Sequence, residues 1–176
     1  MVKLSYICMP NMATSIARHN SKVMRLQPSN TAPCNCDGGA ASCPVQGACK
    51  QEGVVYEACV KEINSNKMET YTGLTGRPFK KRWQEHQQTF DNSDKRNETS
   101  LSLHIWELKD RGVPHSVSWR LLDRATTYNP ATKKCNLCIK EKYFIMYQNR
   151  SSTLNKRSEV YNTCRHRTQS LLEKLK

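Results

Sequence analysis

The stretch GVVYEACVKEI (residues 53–63), followed after Asn64-Ser65-Asn66-Lys67 by METYTGL (68–74), reads as a β-hairpin. Its first arm is rich in β-branched residues, the connection carries turn chemistry, and the second arm returns to strand formers. A two-residue loop at Ser65-Asn66 pairs Tyr56 with Thr75, whereas a turn centred on Ile63-Asn64 pairs Tyr56 with Tyr71. The two registers differ by an even number, so both predict Tyr56 and Tyr71 on one face of the hairpin unless a bulge intervenes. Beyond it, Gly76-Arg77-Pro78 leads into PFKKRWQEHQQTF (78–90), a helix with Pro78 in its first turn and Arg82 and His86 on one face. Asn97-Glu-Thr-Ser100 starts a second helix, whose stripe is Leu101, Ile105 and Leu108 with Trp106 flanking and His104 packing, and which Gly112 and Pro114 end. HSVSWRLL (115–122) alternates Val117, Trp119 and Leu121 as a third strand. After a loop with Pro130, CNLCIKEKYFIMYQ (135–148) predicts a helix with Ile139, Tyr143 and Met146 inward. The order β, β, α, α, β, α implies an α+β fold: a small antiparallel three-stranded sheet flanked by helices.

The 176 residues suit one ordinary domain with an appendage and exclude a large multidomain machine. Residues 1–33 read as a connector with a short helical candidate, 34–50 as a Cys-rich extension, 51–167 as the main domain and 168–176 as a basic tail. Lys and Arg number 28 against 15 Asp and Glu, and the resulting charge of +13 favours a polyanionic partner, nucleic acid ahead of a membrane surface. The opening Met1 to Pro10 has no apolar run of signal-peptide length, and no later segment is apolar over the length of a bilayer. These features predict an intracellular, soluble protein with no membrane partner.

The nine cysteines are an odd number, several in short-spaced pairs, which suits thiolate metal sites better than a full set of disulfides. Cys34, Cys36, Cys43 and Cys49 lie among Gly, Ala, Pro and Asp, with too few large apolar side chains for a core of their own, so a zinc knuckle is expected there. Cys135 and Cys138 with Cys164 and His166 make a second set, C-x-x-C plus C-x-H, fit for tetrahedral zinc. Cys138 precedes Glu141 by three residues, so metal there would anchor the start of that helix. Cys59 reads as a core thiol, and Cys8 has no partner in this scheme.

The tyrosine pair, the Arg82/His86 helix, Glu141 on a late helix and Asn155 beyond it make an ordered constellation that resembles the GIY-YIG nuclease family. Val54-Val55-Tyr56 stands at its first signature and Tyr71-Thr72-Gly73 at its second. NETSLSLHIW, KKCNLCIKEKYFI, LNKRSE and CRHR are more particularly similar to the endonuclease domain of Penelope-like retroelements, over roughly Cys34 to Arg167. Val54 replaces the family's Gly and Thr72 its Ile, and the tyrosines stand fifteen apart, which a longer hairpin absorbs while leaving the phenols in place.

The resemblance implies a metal-dependent DNA endonuclease that nicks phosphodiester bonds, with the cut 3' end priming reverse transcription. It implies a nuclear location, DNA as partner, and a reverse transcriptase domain or RNA of the parent element beside it. Glu141 would hold one Mg²⁺ or Mn²⁺, and Arg82 would grip the phosphate with a planar fork that Lys lacks. Tyr56 would activate or position the attacking water, Tyr71 would orient phosphate or water, His86 would relay a proton or touch the backbone, and Asn155 would organise the surround of Glu141. Lys80, Lys81, Lys133, Lys134, Lys156, Arg157, Arg165 and Arg167 flank these positions in sequence and read as phosphate contacts without base specificity. Taken singly, the tyrosines are as well explained by a cross-strand contact, and Arg82 and Glu141 by solvated helix faces. Two rivals follow: a zinc-stabilised nucleic-acid-binding module derived from such a nuclease but inactive, and a secreted, disulfide-stapled protein with acceptor sequences at Asn97 and Asn149.

Overall fold

The computed structural model describes residues 34–37, 39–65, 67–129, 134–147, 152–161, 163, 164 and 166. The connector with Cys8, the tail, Lys133, Arg165, Arg167 and the acceptor at Asn149 lie outside them, and Arg157 is described in its backbone alone.

Strands β1 (Val54–Glu62), β2 (Met68–Thr75) and β3 (His115–Arg124) form an antiparallel sheet in the order β2-β1-β3. The chain is therefore α+β, with β1 central, as its apolar content requires. The hairpin register falls midway between the two expected ones: Tyr56 faces Gly73 and Ala58 faces Tyr71. Glu62 N–H donates to Lys67 O at 3.0 Å, so four residues make the turn. Because this register keeps the same parity, Tyr56 and Tyr71 share a face. The sheet's one irregularity lies between β1 and β3, at Val55/Tyr56, where Val55 pairs with Asp123 but Tyr56 with Leu121.

Gly73 is where close approach demands glycine: a Cβ there would lie 2.5 Å from Tyr56 Oη and 2.6 Å from Cζ. Helix α1 (Phe79–Asp91) begins one residue later than expected, with Pro78 as its N-cap. The Pro78 ring has no polar atom to cap with, and backbone carbonyls at the end of the Cys-rich extension and just beyond it do that work. Phe79 N–H donates to Gln51 O at 2.9 Å and Lys80 N–H to Cys49 O at 2.7 Å. Helix α2 (Ser100–Asp110) opens with a reciprocal capping box between Thr99 and Ser102. Its Leu101, Ile105 and Leu108 are buried with Val54, Tyr56, Ala58, Val60, Phe79 and Phe90 in the main core, against which Val117, Trp119 and Leu121 pack. Each fully buried Leu, Ile, Val or Phe among them contributes roughly 1.5–3 kcal/mol by leaving water. His104 is 8% exposed, its Nε2 2.8 Å from Glu69 Oε2, close enough for an ion pair but not aligned as a hydrogen bond.

The loop expected around Pro130 holds a second, two-stranded sheet, β4 (Tyr128–Asn129) with β5 (Lys134–Cys135). Helix α3 (Asn136–Tyr147) is rotated from the expected orientation. Ile139, Tyr143 and Met146 are 55%, 52% and 67% exposed, while Leu137 and Ile145 are buried. Leu137 and Phe144 pack with Val55, Leu74 and Leu122, on the side of the sheet away from Tyr56. Apolar and charged residues, Lys140, Glu141 and Lys142 among them, are both spread around the helix, so periodicity alone could not choose its buried side.

Residues 152–155 cover the outer edge of β2. Thr70 N–H donates to Ser152 O, and Leu154 N–H to Thr70 O, both at 2.7 Å. Asn155 extends the ladder with its side chain: Oδ1 accepts from Thr72 N–H at 2.7 Å and Nδ2 donates to Thr72 O at 2.8 Å. An edge that would otherwise be open to strand addition is thereby closed. No helix among the described residues is long and apolar enough to cross a membrane.

Candidate active site and metal centres

β1 delivers Tyr56 and α1 delivers Arg82 and His86 to one point. Arg82 Nε donates to Tyr56 Oη at 3.1 Å, and Tyr56 Oη lies 2.8 Å from His86 Nε2. An arginine only donates, so the phenol oxygen accepts from Arg82, and in the tautomer with its proton on Nδ1 the imidazole accepts the phenol O–H at Nε2. That requires a neutral imidazole, and His86 is pushed down to about 3 by burial first and by the Arg82 charge second. Tyr71 stands edge-on to His86 with centroids 6.0 Å apart, and Tyr56 likewise at 5.9 Å. Both tyrosines are buried, and burial pushes both phenols above their ordinary value. Burial opposes the charge of Arg82, but Tyr56 and Glu85 beside it hold the guanidinium firmly protonated.

Glu141, on α3, is half-buried and pushed up to about 7, by burial first and by the charge of Glu159 second, against the pull of Lys142 and Arg82. Its charge in turn disfavours ionisation of both tyrosines, so it is electrostatically part of the same group. Glu159 was not singled out in the sequence. Its Oε2 accepts from Asn155 Nδ2 at 2.7 Å and its Oε1 from Ser100 Oγ at 3.2 Å. Asn155 holds Thr72 and Glu159, and Glu159 in turn disfavours the charge of Glu141. The four-residue step from Asn155 to Glu159 was visible, but a short 3₁₀ turn at Arg157–Tyr161 brings them together, and nothing in the sequence announced it. Glu141, whose charge Glu159 opposes, could offer a carboxylate oxygen to a hard divalent cation that displaced its proton.

Glu85, also unforeseen, accepts from Arg82 Nη1 at 3.0 Å and from Arg77 Nη2 at 2.5 Å. Burial works to raise its carboxyl and the two arginines overcome it, leaving it below the ordinary glutamate value. Of the expected phosphate contacts, Lys81, Lys134 and Lys156 are exposed. Lys80 Nζ donates to Asn35 O at 2.9 Å and Oδ1 at 3.1 Å, tying α1 to the Cys-rich extension.

Cys34, Cys36, Cys43 and Cys49 gather with all ligand atoms within 4.8 Å of one another, and so do Cys135, Cys138, Cys164 and His166. Tetrahedral thiolates on zinc stand about 3.8 Å apart, given Zn–S near 2.3 Å. Cys34 and Cys36 Sγ lie 3.4 and 3.8 Å from Cys49 Sγ. In the second set Cys138 is 3.4 Å from Cys164, and His166 Nδ1 is 3.6, 3.3 and 3.7 Å from Cys135, Cys138 and Cys164. Disulfide sulfurs sit at about 2.05 Å. The eight described cysteines are all free thiols, against the disulfide-stapled alternative. Burial pushes Cys49 up to about 12 and raises Cys138 as well, so packed thiols at these distances suit a cation that neutralises them on binding. Both sets are compatible with structural zinc. Cys59 is half-buried in β1.

No family model matches the chain, and no curated protein or solved structure matches it.

Proposed function

We propose that the protein is a metal-dependent DNA endonuclease of the GIY-YIG kind, similar to the endonuclease domain of Penelope-like retroelements, which nicks phosphodiester bonds. The observation that carries this reading is the bonded triad Arg82–Tyr56–His86, with Tyr71 beside it and Glu141 within its electrostatic reach. A cross-strand tyrosine contact alone would need neither an arginine donating into a buried phenol nor a neutral imidazole beneath it.

Glu141, with Glu159 adding negative charge, would hold one Mg²⁺ or Mn²⁺, which when bound supplies charge neutralisation at the scissile phosphate. Arg82 grips a non-bridging oxygen and stabilises the added charge of the transition state. Tyr56 is fully buried in the free protein, so the attacking water reaches its oxygen once the Arg82 side chain moves onto phosphate. A proton from that water then passes to the phenol oxygen while the phenol's own proton passes to His86 Nε2. Such a relay avoids a free phenolate, which burial makes costly; burial also opposes the imidazolium formed instead, the shift of Arg82 onto phosphate weakens the second force against it, and the departing 3' oxygen takes its proton from solvent. Tyr71 orients the water or phosphate from the same face.

Purified protein with Mg²⁺ or Mn²⁺ is expected to nick supercoiled plasmid, and Glu141→Ala and Arg82→Ala to lose at least about a hundredfold in rate. Full DNA binding without metal-dependent nicking would instead identify the inactive binding module.

A further inference from the structure

Arg77 belongs to neither signature, yet it converges with Arg82 on a single carboxylate. Arg82 Nη1 meets Glu85 Oε2 at 3.0 Å, and Arg77 Nη2 meets Glu85 Oε1 at 2.5 Å. The three groups are reachable from solvent, with side chains 28%, 62% and 36% exposed for Arg82, Arg77 and Glu85. Arg77 does not arrive there on a loose loop. Its backbone N–H donates to Thr75 Oγ1, and that hydroxyl donates back to Arg77 O, both at 3.1 Å, which fixes the turn between β2 and α1. Glu85 stands one helical turn after Arg82 and is held from the same side. Two guanidinium forks share one anion, leaving one net positive charge at a solvent-facing spot beside the buried Tyr56.

We infer that Arg77 and Arg82 form a two-arginine clamp for one phosphodiester group of a polynucleotide backbone, and that Glu85 occupies the clamp in the free protein. A phosphodiester carries the single negative charge and paired acceptor oxygens of a carboxylate, and each fork can take it in the geometry now used on Glu85. Loading the clamp turns Glu85 out to water and draws Arg82 off the Tyr56 oxygen, the movement the relay requires. The inference rests on reading this site as one that binds phosphodiesters, but it concerns binding and does not depend on cleavage.

The test is anisotropy titration of a fluorescein-labelled 20-base-pair duplex of arbitrary sequence in Ca²⁺, with the full chain and four substitutions. Glu85→Gln, nearly isosteric, is expected to tighten binding about fivefold, and Glu85→Ala to do the same; the exposed Glu98→Gln measures the effect of losing any one negative charge and should stay within about twofold. Arg77→Ala is expected to weaken binding about fivefold and to lower the slope of log K against log salt by about one. Combining Arg77→Ala with Glu85→Gln should cancel most of the gain seen from Glu85→Gln alone, because the released clamp then has one arm. Unchanged or weaker binding by Glu85→Gln, a gain no larger than that of Glu98→Gln, or full additivity of Arg77→Ala and Glu85→Gln overturns the clamp. Thermal melts of each variant show whether it is folded. Failure of the nuclease reading shows itself separately, as absent nicking in Mg²⁺ by a wild-type protein that still obeys this binding pattern.

Discussion

Glu141 holds its proton up to about pH 7 in the metal-free protein, because burial and Glu159 both disfavour its charge. A cation must displace that proton. Mn²⁺ affinity is therefore expected to rise as pH rises towards 7 and to level off above it, by titration calorimetry at pH 5.5 to 8.5; a flat profile, or one that Glu141→Gln leaves unaltered, would count against Glu141 as the ligand. His86 has a consequence for stability. Its folded value, about 3, lies below the ordinary histidine value, so its contribution is fully present above pH of about 6.5 and is lost as pH falls from there towards 3. The loss approaches about 1.4 kcal/mol per pH unit at its steepest. Unfolding free energies of wild type and His86→Gln from urea titrations should accordingly converge by about 2 kcal/mol between pH 7.5 and 5. Gly73→Ala is a third test at this scale. With no room between its Cβ and the Tyr56 ring, the substitution should cost about 1–3 kcal/mol in urea titrations and reduce nicking of supercoiled plasmid.

Each helix that carries a candidate site residue begins at a Cys cluster. The first cluster caps α1 through the Cys49 and Gln51 carbonyls, and the second includes Cys135 and Cys138 at the start of α3. Metal analysis should return two zinc ions per chain, and Cys43→Ser and Cys138→Ser should each remove one. Zinc loss from the first site is expected to speed hydrogen exchange at the Phe79 and Lys80 amides and, through Arg82 and His86, to impair nicking while sparing α3. Equal exchange with and without zinc would mean that the cluster does not position α1. In sequence, only the second cluster's closeness to Glu141 suggested such a link; the first acts through backbone carbonyls, which no side-chain pattern records. The hairpin, the helix start within residues 97–100 and the third strand were legible because local propensity and periodicity agree there. The orientation of α3 was not, because Ile139, Tyr143 and Met146 are as apolar as the residues buried in their stead.

At the scale of the whole molecule, the charge of +13 predicts duplex binding that falls linearly on a log–log salt plot and differs little between unrelated sequences. A strong sequence preference in competition titrations would contradict phosphate-led binding. The sequence by itself determined the α+β class, the parity that puts Tyr56 and Tyr71 on one face, and the two ligand sets for zinc, because each follows from spacing along the chain. The tertiary structure alone decided what those residues meet. Glu85 lies between Arg77 and Arg82, Glu159 beside Glu141, Asn155 against Thr72, and Gly73 beneath the Tyr56 ring. Most of these contacts join residues distant in the chain, and burial and charge acquire their effect on a phenol, an imidazole or a carboxyl only once packing has removed the water and fixed the neighbours.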